Sequence, residues 1–357
     1  MRHIAGWNVS VQLSSLFPLV LRSKGDENMR VTFFHRRPQG TNFSIERLFA
    51  DVRKALPEDI EAEVAVSRFQ SRGFCPRLYN VFEAAFRNGF VNHITGDVHF
   101  LALLLPRRKT LLTIHDLSVV HRLSGLRRMV YLFFWYWLPI RRCALVSVIS
   151  MSTKEDLIRH TKIDACKIRI VYNCVSSDFQ PCPKQFNIAR PVILQVGTGQ
   201  NKNLERLVQA LAGIPCHLRI IGLPNAGQEK ILREFDVEYS FVANIPDENV
   251  IDEYRHCDLL AFVSTYEGFG LPIIEAQAVG RPVITGNILS MPEVAGDAAC
   301  LVDPFDAASI RAGILKVIND SWYRDELARR GFSNVARFRS EIIAAQYAEI
   351  YRELAAR

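Results

Sequence analysis

"STYEGFGLPIIEAQAVGRPVITGN", Ser264 to Asn287, decides how the second half of this chain folds. An apolar run, "DLLAFVS" (258–264), enters it and another, "PVITGN" (282–287), leaves it, both of strand length. Between them "PIIEAQAVG" (272–280) has the composition of a helix, and Pro272 suits a first helical position. Strand, helix and strand in such close succession form a parallel crossover. The connecting "TYEGFGL" then lies at the carboxyl edge of the sheet, where open α/β sheets hold ligands.

That loop has a defined chemistry. Gly268 and Gly270 let backbone amides come close to a ligand, and the helix N-terminus behind them favours an anion. Glu267 and Glu275 beside such a site make sense as acceptors of hydrogen bonds from hydroxyl groups. A ligand carrying both phosphate and hydroxyls, a sugar nucleotide, reconciles the two.

Working outward, the same alternation covers most of the chain. Strand-like runs are "RVTFFH" (30–35), "AEVAVSR" (62–68), "VNHITG" (91–96), "KTLLTIHD" (109–116), "ALVSVIS" (144–150) and "IRIVYN" (168–173). Helical spacing separates the first of these, in "SIERLFADVRKAL" (44–56) and "RLYNVFEAAFRN" (77–88). The segment 174–191 carries three prolines and marks a boundary. Beyond it come "VILQVGTG" (192–199), "HLRIIG" (217–222) and "YSFVANI" (239–245), with helices at "LERLVQALAG" and "VIDEYRHC" (250–257). The fold class is α/β, as two consecutive open units facing across a cleft. The expected domains are 29–180 and 181–339, with the helix 340–357 to follow.

Composition excludes several classes. Of 357 residues 49% are hydrophobic and 23% charged, which suits folded domains rather than a disordered chain. At about 100–200 residues per domain, two or three domains are expected. The net charge of +7 is uneven: residues 29–180 hold 23 Lys/Arg against 13 Asp/Glu, residues 181–357 hold 18 against 22. A basic first half fits either a scattered solvated surface or an anionic partner such as a membrane or phosphorylated ligand. Nucleic acid is not expected, because no recognised motif accompanies the charge. The eight cysteines show no C-x-x-C pair and no metal-ligand spacing, so a reducing compartment without disulfides or structural zinc is expected.

Two segments stand apart. Residues 1–28 hold one short apolar stretch broken by Pro18, and a start-like sequence begins at Met29. The expectation is translation from Met29 with 1–28 a non-native or disordered extension; a weak signal peptide is the alternative. "LRRMVYLFFWYWLPIRRC" (126–143) is too short to span a bilayer. It is expected to be a buried helix whose ends snorkel their arginines, the alternative being contact with an anionic membrane surface.

"EGFGLPIIEAQAVGRPVIT" resembles the E-x7-E signature of family 4 retaining glycosyltransferases, which have the two-domain GT-B fold. "VGTGQNKNLERLVQAL" (196–211), "CDLLAFVSTYEGFG" and "MPEVAGDAACLVDP" (291–304) are similar to the flanking segments, in family order. "HITGDVH" (93–99), "TIHDL" (113–117), "VISMSTKEDLI" (148–158) and "IRIVYNCV" (168–175) extend the likeness back to about Met29.

The resemblance implies roles. Glu275 would accept from the donor ribose, Glu267 from the transferred sugar, and the amides of Gly268, Phe269, Gly270 and Leu271 would surround sugar and phosphate. Lys202 would neutralise the diphosphate. Gly197 and Gly40 would belong to donor-binding turns, and Val242–Ile245 would cradle the base. His115 is the expected first-domain catalytic histidine, with Asp116 orienting its loop, and His93 and His99 are acceptor-side candidates. The arginine that many members carry shortly before the lysine is missing from "GTGQN", leaving Arg206 or a first-domain cation to replace it. No cofactor or metal is implied. The implied activity is retaining transfer, with a mannosyl-type donor and a glycan or lipid-linked acceptor, at the cytoplasmic side and peripheral to the membrane. The last helix would cross back to the first domain. The competing readings are another GT-B activity, such as an epimerase or phosphorylase, and a sugar-nucleotide-binding scaffold without catalysis.

Overall fold

The structure, a computed structural model, describes residues 28–38 and 44–357. Gly40 and the extension through residue 27 lie outside the described residues. Among the described residues, twelve strands form two parallel sheets. β1 (Met29–His35), β2 (Ile60–Val66), β3 (Val91–Ile94), β4 (Thr110–Ile114), β5 (Leu145–Val148) and β6 (Ile168–Ile170) make the first, in the order β2-β1-β3-β4-β5-β6. β7 (Val192–Val196), β8 (His217–Ile221), β9 (Tyr239–Val242), β10 (Leu259–Phe262), β11 (Val283–Gly286) and β12 (Cys300–Val302) make the second, ordered β12-β11-β10-β7-β8-β9.

The strand sequences explain the parallel pairing. β4 and β10 are buried at every position, as expected of strands covered by helices on both faces. Register is continuous at the centre of each sheet, with Phe33 opposite His93 and Leu260 opposite both Val283 and Leu194. In the second sheet the chain winds from β7 outward to β9, then returns to the other side of β7 as β10. The order therefore reverses between β7 and β10, and a crevice opens at their carboxyl ends. The first sheet reverses in the same way between β1 and β3.

Buried thiols at Cys143, Cys174, Cys216, Cys257 and Cys300 behave as small core residues. The final helix, Ser340–Ala355, packs Ile343, Tyr347, Tyr351 and Leu354 into the core beneath β1, among Val31, Phe33, Val91 and Leu111. The chain thus crosses between the sheets twice, and the two crossings touch: the Val175 amide donates to the Phe338 carbonyl at 2.9 Å.

The aromatic segment departs from expectation. It forms one helical stretch, Gly125–Leu132, a π-helical turn Phe133–Trp137 and Leu138–Arg141. Tyr136, Pro139 and Ile140 are buried, but Leu126, Met129, Val130, Phe133 and Phe134 are exposed, so it is a half-buried helix rather than a buried one. The π turn has a local cause. Pro139 has no N–H to give the Trp135 carbonyl, and His99 Nδ1 bonds that carbonyl instead at 2.8 Å.

Candidate active site

At the switch point, Lys202 and Glu267 form an ion pair of 2.6 Å between Nζ and Oε1. Lys202 follows β7 and Glu267 follows β10, so the pair bridges the crevice that the strand order opens. Local structure fixes both partners. Gly197 has φ 88°, and the Lys202 stem folds over it so closely that a Cβ there would lie 3.1 Å from Lys202 Cγ and Cε. Asn203 takes a left-handed conformation, φ 59°, and its amide bonds the Val263 carbonyl at 2.9 Å and the Pro304 carbonyl at 2.6 Å. Asn201 Nδ2 lies 3.3 Å from Glu267 Oε1. The Lys202 ammonium also stands 4.8 Å from the Phe262 ring centroid.

The glycine loop is turned so that its carbonyls are spent. Ser290 Oγ lies 3.0 and 2.9 Å from the Glu267 and Phe269 carbonyl oxygens, its single proton shared between them. Ser150, from the first domain, donates to the Gly268 carbonyl at 2.7 Å, with Thr153 Oγ1 3.2 Å away. Among the described residues, no acceptor takes the amides of Gly268, Phe269, Gly270 or Leu271. Those amides head the helix Leu271–Val279, where its dipole favours an anion. Gly270 holds φ 110°, a conformation that glycine adopts without strain.

Glu275 lies one turn into that helix, half-buried, with its Oε2 accepting from the Tyr254 hydroxyl at 2.6 Å. Burial raises the pKa of its carboxyl, while the Tyr254 bond and the charges of Arg47 and Lys202 oppose the rise. Arg47 comes from the first-domain helix Ser44–Lys54 and crosses the cleft to Asp247 at 3.1 Å, also pairing with Asp178 at 3.2 Å. Arg206, the other candidate for the missing cation, donates to Asn203 Oδ1 at 2.9 Å.

The first domain closes over this loop. The Leu117 amide donates to the Tyr266 hydroxyl at 3.2 Å, and Glu293 accepts from the Met151 amide and the Tyr172 hydroxyl, both at 2.9 Å. His115 lies at the end of β4, half-buried, with Nε2 2.8 Å from the Thr95 carbonyl. A carbonyl only accepts, so Nε2 carries the proton and Nδ1 is a free lone pair among the described residues. Burial lowers the pKa of His115, which keeps it neutral. Asp116 Oδ1 accepts from the Ser118 amide at 2.7 Å and so shapes the loop.

The two acceptor-side histidines are placed elsewhere. His93 is fully buried, with one nitrogen 2.7 Å from the Tyr351 hydroxyl and the other 2.7 Å from Thr113 Oγ1. His99 is buried under the π turn it supports. Both belong to the first-domain core and not to the cleft. In their stead, a cavity of about 410 Å³ beside Glu267 is lined by His121, Asp156 and Arg159 of one domain and Tyr266, Leu289 and Phe305 of the other. His121 Nε2 is 2.6 Å from Asp156 Oδ2. His121, Asp156 and His160 could gather ligand atoms, but Arg128 occupies His160 Nε2 at 2.9 Å. Sequence reading missed this cavity because its walls come from two helices and three loops that are far apart in the chain.

Comparison with known proteins agrees with the fold. The family "Glycosyltransferase Family 4" matches residues 31–179, and "Glycosyl transferases group 1" matches 178–334. O-antigen chain mannosyltransferase B of Escherichia coli is 28% identical over 277 residues, 70% of this chain and 72% of that protein. Among solved structures, sucrose-phosphate synthase from Thermosynechococcus elongatus superposes with a TM-score of 0.72 at 21% identity, covering 92% of this chain and 99% of that one. Anabaena Alr3699/HepE, in complex with UDP and glucose, also gives 0.72, at 18% identity, covering 90% and 99%. Two facing Rossmann-like domains with the site in the crevice between them define the GT-B class. These findings support a glycosyltransferase of that class, whose first half is similar to the Family 4 model and whose second half is similar to the group 1 model.

Proposed function

We propose that the protein transfers a sugar, mannosyl by likeness to the O-antigen mannosyltransferase, from a nucleotide-sugar donor to a glycan or lipid-linked acceptor in cell-surface polysaccharide assembly. One observation carries this reading: the unpaired amides of Gly268–Leu271 sit beside the Lys202–Glu267 pair, with Glu275 one turn further on. The amides and Lys202 take the diphosphate, whose charge grows as the glycosidic bond breaks. Glu275 accepts from the ribose hydroxyls and Glu267 from the sugar. Neutral His115 accepts a sugar hydroxyl at Nδ1.

Transfer proceeds with retention. Glu267 is engaged by Lys202 and so is a poor covalent nucleophile, which favours attack from the face the diphosphate leaves, the phosphate taking the acceptor proton. Side-chain and backbone charge supply the stabilisation, so no divalent metal is required. Arg47, reaching across from the first domain to the surroundings of Glu275, stands in for the missing arginine.

A panel of UDP-, GDP- and ADP-sugars in thermal-shift and hydrolysis assays, with and without EDTA, tests the reading beside Glu275→Ala. Stabilisation by one nucleotide class, indifferent to EDTA and lost in the variant, is expected. No response to any sugar nucleotide would overturn it. Stabilisation without hydrolysis or transfer would favour the second reading, a sugar-nucleotide-binding scaffold, for which the missing arginine is the supporting observation.

A further inference from the structure

The second domain has a further cavity, of about 240 Å³, on the side away from the transfer crevice. On its wall, Asp258 immediately precedes β10, so the cavity lies at the amino end of the strand whose carboxyl end leads into the glycine loop. Its other walls are the segment that first crosses between the sheets, at Lys184 and Phe186, and the helix Ser321–Val335, at Arg324. That helix runs on to Phe338, where the chain crosses back.

Two buried arginines meet there, and they are used differently. Arg281 spends its whole guanidinium on backbone: Nε donates to the Tyr254 carbonyl at 3.1 Å, Nη1 to that of Cys182 at 2.9 Å and Nη2 to that of Arg255 at 2.6 Å. Arg324, 7% exposed, gives only Nη1, to the Val317 and Ile318 carbonyls at 3.0 and 2.9 Å, in the last turn of the helix Ala307–Asn319. Its Nε is buried without a partner, and its Nη2 makes no bond among the described residues. The free edge is therefore Nε with Nη2, a pair of parallel N–H groups of the kind that a phosphate or carboxylate takes bidentately. The Phe186 ring centroid lies 4.1 Å from Arg324 Cζ, and this stacking holds the guanidinium plane. A buried charged donor left unmade is costly, and capping the helix occupies only the other end of the group.

Charge on the wall favours an anion. Lys184 pairs with Asp258, whose oxygens also accept from the Asn187 and Val192 amides at 3.1 and 2.8 Å. That carboxylate is spent, while the ammonium keeps two more protons to give. The other carboxylate on the wall, Asp325, is exposed, and Arg281 and Arg324 are paired with neither. We propose that this cavity is an anion site separate from the donor crevice, taking a phosphate group side-on against Arg324 with Lys184 beside it. Free phosphate and the phosphoryl end of a small metabolite share that chemistry, and the cavity admits both. An occupant ties the first crossing, through Lys184, to the helix that leads into the second, and so stiffens the hinge. The site depends on no step of glycosyl transfer.

Titration calorimetry of the full chain with inorganic phosphate, and with glycerol phosphate, at constant ionic strength tests the proposal. The titrations are repeated on Lys202→Met, so that phosphate held in the donor crevice is told apart. A saturable site that persists in Lys202→Met is expected. Arg324→Lys keeps the charge but loses the two-pronged edge, and should weaken that site by about tenfold or more. Asp325→Asn, at an exposed position, should tighten it by about twofold or more, and keeps the test decisive if the Arg324 variant misfolds. Tighter binding of glycerol phosphate would assign the ligand to a metabolite, and tighter binding of phosphate to the free ion. Amide hydrogen exchange in residues 182–190 should slow when the site is filled. No saturable binding of either ligand, binding lost in Lys202→Met but kept in Arg324→Lys, or an affinity that neither wall variant moves would overturn the proposal.

Discussion

A Cβ placed on Gly268 would lie 2.3 Å from the backbone carbonyl oxygen of His115 and 2.9 Å from Asp116 Cβ. Gly268 is therefore the point at which the two domains come into backbone contact, and the close approach leaves no space for a methyl group. Because the obstacle is main chain, it cannot rotate away. Gly268→Ala should force the domains apart, destabilising the protein by about 1–3 kcal/mol. Transfer should fall further than nucleotide binding does, since Lys202 and Glu275 stay within the second domain. Unfolding midpoints beside donor affinity and turnover check this; unchanged turnover would refute it.

Lys202 and Glu267 should act as a unit. Lys202→Met should cost about 10²–10³ in kcat, the range for losing a group that stabilises developing charge. Glu267→Gln should cost about tenfold or more, as expected for a hydrogen bond to a charged group. The double variant should lose less than the product, because each single change already breaks the 2.6 Å pair. A double-mutant cycle on donor hydrolysis measures the coupling, and strict additivity would count against it.

Glu275 gives the donor site a pH dependence. Burial raises its pKa, and only the ionised carboxylate accepts from two ribose hydroxyls. Nucleotide affinity should therefore weaken as pH falls through the raised pKa. The Tyr254 hydroxyl opposes the rise, so Tyr254→Phe should move the acid limb to higher pH and cost about 1 kcal/mol in affinity. Titration calorimetry across pH tests it; an acid limb moved to lower pH would contradict the assignment.

Stability should depend on His35. Burial and then Arg53, 2.8 Å from its Nε2, depress its pKa from 6.5 to about 4. The folded state therefore refuses a proton that the unfolded chain accepts. Its contribution is complete above pH 6.5 and is lost as pH falls from there toward 4, by about 3 kcal/mol at most. His93, His99 and His115 are depressed in the same direction. Urea midpoints at about pH 7.5 and about pH 5 should converge in His35→Gln relative to wild type.

The α/β class was legible because buried parallel strands are short apolar runs, as in "RVTFFH" and "DLLAFVS"; among the described residues eleven of the twelve strands overlap the strand-like runs read from the sequence, including β2 and β8, which charged residues interrupt. β12 (Cys300–Val302) was not legible as a strand, since three residues give no pattern. The helices Ala307–Asn319 and Ser321–Val335 follow one another without a strand between, which breaks the alternation that guided the reading. Glu267, Glu275, Lys202 and the glycine loop were grouped from sequence because they lie on contiguous motifs, and the structure brings them together at one crevice. His93 and His99 misled because a histidine within a short strand, or in the turn after it, has the same sequence signature whether it faces a cleft or a core. Their partners Tyr351 and Trp135 are 258 and 36 residues away. Pro139 was the one local clue, since a proline inside a helix leaves a carbonyl for some other donor to take.

The bond between Val175 and Phe338 has a mechanical meaning. A body tethered by one strand of chain can tilt and spin in any direction; a body tethered by two strands fastened to each other swings like a door. Such a tether would restrict opening to a rotation about a single axis, and closing would return Gly268 to its place against His115. The first half also cannot be expressed alone without loss. A chain stopped before residue 340 would lack Tyr347 and Tyr351, leaving Phe33 and His93 open to water. The helix Ser340–Ala355 is thus the lid of the first domain's core, supplied from the far side of the second domain.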